Sequence, residues 1–139
     1  MKLEHVALQV SDPLAAARWY VEHLGLTVKA RGVEPPYGHF LADDGDAVML
    51  EIYAFPDVPT PDYPSLEPRQ LHLAFTSKDV AADVARLVAA GATRVSGPET
   101  TPKGDEIAML RDPWGVCVQL VKRAKPMLRN AERGVRNAE

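Results

Sequence analysis

Four side chains in this sequence have the types and spacing to do chemistry together: His5, Glu51, His72 and Gln119. His72 follows His5 by 67 residues, and Gln119 follows Glu51 by 68. Each His opens an apolar stretch, "HVALQV" and "HLAFTS", and each oxygen donor lies in another, "AVMLEIYA" and "VCVQLV". Two imidazoles, one carboxylate and one amide oxygen make a mixed nitrogen and oxygen set. Such a set suits one divalent first-row ion (Ni, Zn, Co, Mn or Fe) with positions left open for water or substrate. A lone His on a strand is more often a hydrogen-bonded core or surface residue than a ligand. The pairing at one repeat offset raises metal binding above that default.

The elements that must position these groups repeat at the same offset. From each His the alternation of apolar residues predicts a strand. A helix follows, with Ser11 or Asp12 as the first cap and Pro13 at an early position; Ser77 or Asp79 caps the second. Leu14, Ala17, Val21 and Leu24 form one apolar stripe, and Val80, Val84, Leu87 and Val88 the other. Gly25 and Gly91 fall where a helix end favours a left-handed residue. "LTVKA" (26–30) and "ATRVS" (92–96) read as short strands. Two hairpins complete the units, with turns at Asp44–Gly45 and at Asp112-Pro113-Trp114-Gly115. The reading is two βαβββ modules, residues 1–54 and 71–122. A Pro-rich, extended linker (55–70) joins them, and a tail (123–139) follows in which Leu128, Ala131, Val135 and Ala138 mark a possible helix.

Strand alternation sorts the faces. Val6, Leu8 and Val10, then Val48, Leu50 and Ile52, take the first helix. Leu73 and Phe75, then Val116, Val118 and Leu120, take the second. His5, Glu51, His72 and Gln119 all fall on the opposite faces. Met49, Tyr53 and Cys117 share those faces as pocket candidates, and Phe40 and Trp114 could add apolar wall; ordinary core packing is the default for each. His23 is expected to be solvated, His39 to sit at the surface or the cleft rim, and Lys103 and Arg111 to be solvated.

The 139 residues fit one structural domain, and 46% hydrophobic content supports a real core. A net charge of −3 argues against nucleic acid, and no apolar run is long enough for a membrane span. One Cys excludes an internal disulfide framework, and no signal peptide is visible. A cytoplasmic protein binding a small molecule is expected.

Taken together, the paired modules, the His on each first strand and the "RDPWGVCVQL" hairpin (111–120) resemble the vicinal oxygen chelate superfamily. Its members include glyoxalase I, extradiol dioxygenases, methylmalonyl-CoA epimerase and bleomycin-resistance proteins. The resemblance implies an α+β glyoxalase-like fold, in which the two modules pair into a curved mixed sheet around a metal cleft. It implies a divalent ion on His5, Glu51, His72 and Gln119, in a cleft built either from the two modules of one chain or from modules of two chains; half-units this small, with unpaired sheet edges, predict a homodimer. Bacterial-type glyoxalase I has Glu where Gln119 stands, and the epimerase has the acid and amide exchanged. The function implied is a glyoxalase I-like lyase or isomerase working through an enediolate, with Glu51 as ligand, base or both. A non-haem Fe(II) extradiol dioxygenase and a non-catalytic binding or resistance protein are the alternatives.

Overall fold

The computed structural model describes residues 1–128. The expected tail helix falls mainly on 129–139 and so lies outside the described residues. The chain divides into two compact units, Met1–Pro61 and Asp62–Glu139. Both have the βαβββ order, which makes the fold α+β.

The first unit contains β1 (His5–Gln9), α1 (Pro13–Leu24), β2 (Thr27–Arg31), β3 (His39–Ala42) and β4 (Met49–Tyr53). Its four-stranded sheet has the order β1-β4-β3-β2, with β1 parallel to β4 and the other pairs antiparallel. The second unit opens with a short 3-10 helix at Tyr63–Ser65. It continues with β5 (Leu73–Thr76), α2 (Val80–Ala89), β6 (Thr93–Thr100), β7 (Glu106–Arg111) and β8 (Cys117–Lys122). Its sheet repeats the topology as β5-β8-β7-β6.

Local chemistry accounts for the helix ends. Asp12 Oδ1 accepts from the Ala15 N–H at 3.1 Å, and Asp79 Oδ1 from the Ala82 N–H at 3.0 Å. Ser77 does not cap; its hydroxyl donates to Asp83 at 2.6 Å. Gly25 ends α1 with φ +72°, the left-handed conformation that a Cβ would disfavour.

The core of each unit lies between helix and sheet. Leu8, Leu41, Leu50 and Ile52 are buried beneath α1, and Ala108, Leu110, Val118 and Leu120 beneath α2. Each of the Leu, Ile and Val side chains contributes about 1.5–3 kcal/mol when fully buried. The α1 stripe differs from expectation. The buried residues are Pro13, Ala16, Ala17, Trp19 and Tyr20, while Leu14 and Val21 are exposed. Trp19 and Tyr20 carry more apolar area than Leu14 and Val21, so they set which face of the helix turns inward. Val88 of α2 and Val6 of β1 are likewise more than 40% exposed, at the margins of their packed faces.

Two charged side chains hold the second unit together. Asp105 is buried and accepts from the Ala124 N–H at 2.8 Å and from Arg123 at 3.0 Å. The backbone donor first, and the guanidinium second, hold its carboxyl below the ordinary carboxylate range. Because the folded pKa is depressed, this stabilisation is present above the unfolded value, about 3.9, and is lost as pH falls through the lower folded value. Urea titrations across pH 5 to 2 should therefore show a steeper loss of stability on acidification for the native chain than for Asp105→Asn. Equal slopes would contradict the assignment.

Arg111, expected to be solvated, is instead a clamp. Its guanidinium donates to the carbonyls of Tyr63 at 3.1 Å, Gly115 at 3.0 Å and Leu66 at 2.7 Å. Two of these partners are backbone oxygens 48 and 45 residues upstream, and nothing in the local sequence marks them.

Candidate functional site

Parallel pairing places the two His residues equivalently. In the first unit Ala7 stands opposite Glu51, two residues after His5. In the second Ala74 stands opposite Gln119, two residues after His72. His5 is thus a diagonal neighbour of Glu51 across a parallel ladder, close enough for the side chains to meet, whereas His72 directly precedes Leu73, the first paired residue of β5.

In the first unit they do meet. His5 Nε2 lies 3.2 Å from Glu51 Oε2, on the face away from α1, with Phe40 edge-on to the imidazole at 5.6 Å between centroids. His5 Nδ1 is 3.0 Å from Glu4 Oε1. The imidazole is therefore held on one nitrogen by an outer carboxylate and turned on the other toward Glu51. Two donors bound side by side to one ion at about 2.0–2.2 Å lie roughly 2.9–3.4 Å apart, the separation seen here.

The second unit presents its His in the same way. His72 Nδ1 donates to the Pro68 carbonyl at 2.9 Å, which leaves the Nε2 lone pair as the outward-facing group. Metal-bound histidines characteristically donate their other ring N–H to a carboxylate or backbone carbonyl. Both histidines thus have a polar partner on Nδ1, of the kind found behind metal-bound imidazoles. Among the described residues no three His, Cys, Asp or Glu gather into one group.

The "DPWG" turn positions His72 from a distance. Asp112 is buried, and its Oδ1 accepts from the N–H groups of Trp114 and Val116, both at 2.9 Å. This sets the turn that carries Gly115, with φ +90°, against Pro64 of the 3-10 helix. Arg111 ties Tyr63 and Leu66 to the same turn. Pro68, the outer partner of His72, follows two residues after Leu66.

Of the pocket candidates, Met49 and Tyr53 are half-buried and flank Glu51 on its own face. Tyr53 stacks edge-on with Phe55 at 4.8 Å. Cys117 is buried, its thiol is pushed up by that burial, and it donates to Met109 Sδ at 3.9 Å. Its environment suits a small apolar residue rather than a nucleophile. Gln9, on β1, is saturated: its amide donates to Phe55 and Val58 carbonyls at 2.9 Å each and accepts from the Phe55 N–H at 3.0 Å. It anchors the start of the linker.

The remaining histidines depart from expectation. His23 packs on Trp19 at 5.4 Å and is only a quarter exposed. His39, expected at the surface or cleft rim, is 4% exposed and shares the α1 side of the sheet with Leu41. Strand alternation could have found this, since His39 and Leu41 are two apart.

The model of the Glyoxalase/Bleomycin resistance protein/Dioxygenase superfamily matches residues 2–120. A comparison with curated proteins found no match. Among solved structures, TnmS3, an antibiotic binding protein from Streptomyces sp. CB03234, is 27% identical with a TM-score of 0.69, over 89% of this chain and 97% of that one. A glyoxalase/bleomycin resistance protein from the same organism is 30% identical with a TM-score of 0.63, over 87% and 100%. A glyoxalase-related enzyme from Fulvimarina pelagi, at 22% identity, TM-score 0.67 and 87% of each chain, shares the fold. Among the described residues no helix is long and apolar enough to cross a membrane.

Proposed function

The chain belongs to the Glyoxalase/Bleomycin resistance protein/Dioxygenase superfamily, and from that premise we propose that it is a metal-dependent lyase or isomerase acting on a small substrate with two neighbouring oxygens. The observation that carries the reading is the His5–Glu51 pair, 3.2 Å apart, with Glu4 on the other ring nitrogen. In this reading His5, Glu51, His72 and Gln119 hold one divalent ion. The ion supplies Lewis acidity to a substrate carbonyl.

The chain's own groups do the rest. Glu51 is the single carboxylate of the four, so it takes the proton from the carbon beside the carbonyl and returns it to the neighbouring one. Gln119 is neutral and cannot share that task. Glu4 and the Pro68 carbonyl keep each imidazole in one orientation. Phe40, Met49 and Tyr53 give the Glu51 face an apolar surround that limits water. The reading includes a homodimer, because half-units this small bury little apolar surface and leave sheet edges that need cover.

A second reading is favoured by the 27%-identical antibiotic binding protein: a non-catalytic binder of a small molecule. One experiment separates the two. The protein is loaded in turn with Ni, Zn, Co, Mn and Fe(II) and assayed with methylglyoxal plus a thiol, and for oxygen uptake with catechols. Thiol-dependent turnover with at least one metal supports the lyase, and oxygen uptake indicates a dioxygenase. No turnover with any metal, in protein shown to hold it, supports the binder.

A further inference from the structure

The first unit has a second concave feature, on the opposite side of its sheet from His5 and Glu51. A cavity of about 250 Å³ is lined by Leu14, Arg31, Gly32, Val33, Tyr37 and His39. His39 is its buried floor and lies on the α1 side, cross-strand from Ile52. Phe40, the next residue, points the other way and meets His5. The sheet therefore separates this cavity from the candidate metal ligands, and nothing in the glyoxalase-type reading uses it.

Two polar groups converge there. His39 Nδ1 donates to the Tyr37 carbonyl at 2.7 Å, which fixes the tautomer and makes Nε2 an acceptor in the neutral ring. Among the described residues Nε2 has no hydrogen-bond partner, yet no buried side-chain nitrogen or oxygen lacks one, so this atom opens on the cavity that His39 lines. Arg31 stands directly opposite His39 in the β2–β3 ladder, so the two side chains leave the sheet side by side. Among the described residues Arg31 makes no ion pair. Leu14 and Val33, respectively 52% and 76% exposed, form apolar walls on either side. These exposed apolar residues and the unmatched cation lie around one imidazole acceptor.

We propose that this cavity binds a small aromatic acid carrying a hydroxyl beside its carboxylate. The ring lies between Leu14 and Val33, the carboxylate pairs with the Arg31 guanidinium, and the hydroxyl donates to His39 Nε2. Charge and donor pattern both select this class: an anion for the unpaired cation, an O–H for the lone acceptor, set side by side as the two residues are. The volume is below the roughly 300–1,000 Å³ of sites for drug-sized ligands, so one ring and its substituents fill it.

The test titrates the full chain with 2-hydroxybenzoate and, separately, with benzoate, following methyl signals of Leu14 and Val33 by NMR in the presence of a chelator. Saturable binding of 2-hydroxybenzoate is expected, weaker by about threefold or more for benzoate, which lacks the hydroxyl donor. Arg31→Ala, at an exposed position, should weaken 2-hydroxybenzoate by about tenfold or more. Leu14→Trp, which fills the cavity from an exposed helix position, should abolish the shifts. His5→Ala should leave them unchanged, so the outcome is independent of whether the metal reading holds. Absence of saturable shifts, shifts unaffected by both Arg31→Ala and Leu14→Trp, or equal affinity for the two acids would overturn the proposal.

Discussion

Replacing Gly115 with Ala is expected to destabilise the second unit by about 2–4 kcal/mol, combining a left-handed backbone forced on a residue with a Cβ and an overpacked contact. The φ of +90° is the first part. The second is the position of that Cβ, which would overlap Pro64 Cγ and lie 2.6 Å from its Cδ and 2.9 Å from its backbone nitrogen. None of these atoms can yield easily, because the Pro64 ring is rigid and Arg111 pins its neighbours Tyr63 and Leu66. Relief would have to come from shifting the 3-10 helix, which would draw Pro68 away from His72. Thermal melts should fall by on the order of 10 °C. Trp114→Ala, next to it in the turn, should cost less, because Trp114 is only half-buried and its N–H bond to Asp112 is kept. A Gly115→Ala protein as stable as the native chain would show that the turn is not wedged against Pro64.

Glu51→Gln is expected to lower turnover by about 10²- to 10⁴-fold, the usual range for removing a general base, if the protein is the lyase proposed here. The amide keeps the shape and an oxygen donor, so metal binding should weaken without being abolished. This asymmetry is the diagnostic feature. Gln119→Glu puts a carboxylate in the second unit at the place that matches Glu51, and should retain or raise turnover. Parallel loss of metal and activity in Glu51→Gln, with no excess loss of activity, would make Glu51 a ligand only.

Much of this was legible in the residues. The repeat at 67 and 68 residues, the Asp caps, Gly25 and the "DPWG" turn announce two βαβββ units, because strand alternation, caps and turns are local chemistry. The face shared by His5 and Glu51 followed from the same alternation, and the structure brings those two together. The face of α1 did not follow, because Leu14 and Val21 fit a helical stripe as well as Ala16 and Tyr20 do. Residue volume against the sheet decided between them. His39 was misjudged because a polar residue at a strand start reads as surface, although its alternation with Leu41 pointed inward. Arg111 was illegible for a different reason: its partners are main-chain carbonyls, two of them in the Pro-rich segment, which carry no side-chain signature. The outer partners Glu4 and Pro68 were also missed. Glu4 directly precedes His5, and that adjacency was the available signal.

The central claim is that His5, Glu51, His72 and Gln119 hold one divalent ion, and metal content tests it most directly. The native chain, His5→Ala and His72→Ala are stripped with chelator, reloaded with each of Ni, Zn, Co, Mn and Fe(II), dialysed and analysed for metal per folded chain. About one ion per chain is expected for the native protein with at least one metal, and a loss of tenfold or more in affinity for each single variant, as removal of one imidazole ligand entails. Metal bound equally by all three proteins, or by none, would contradict it.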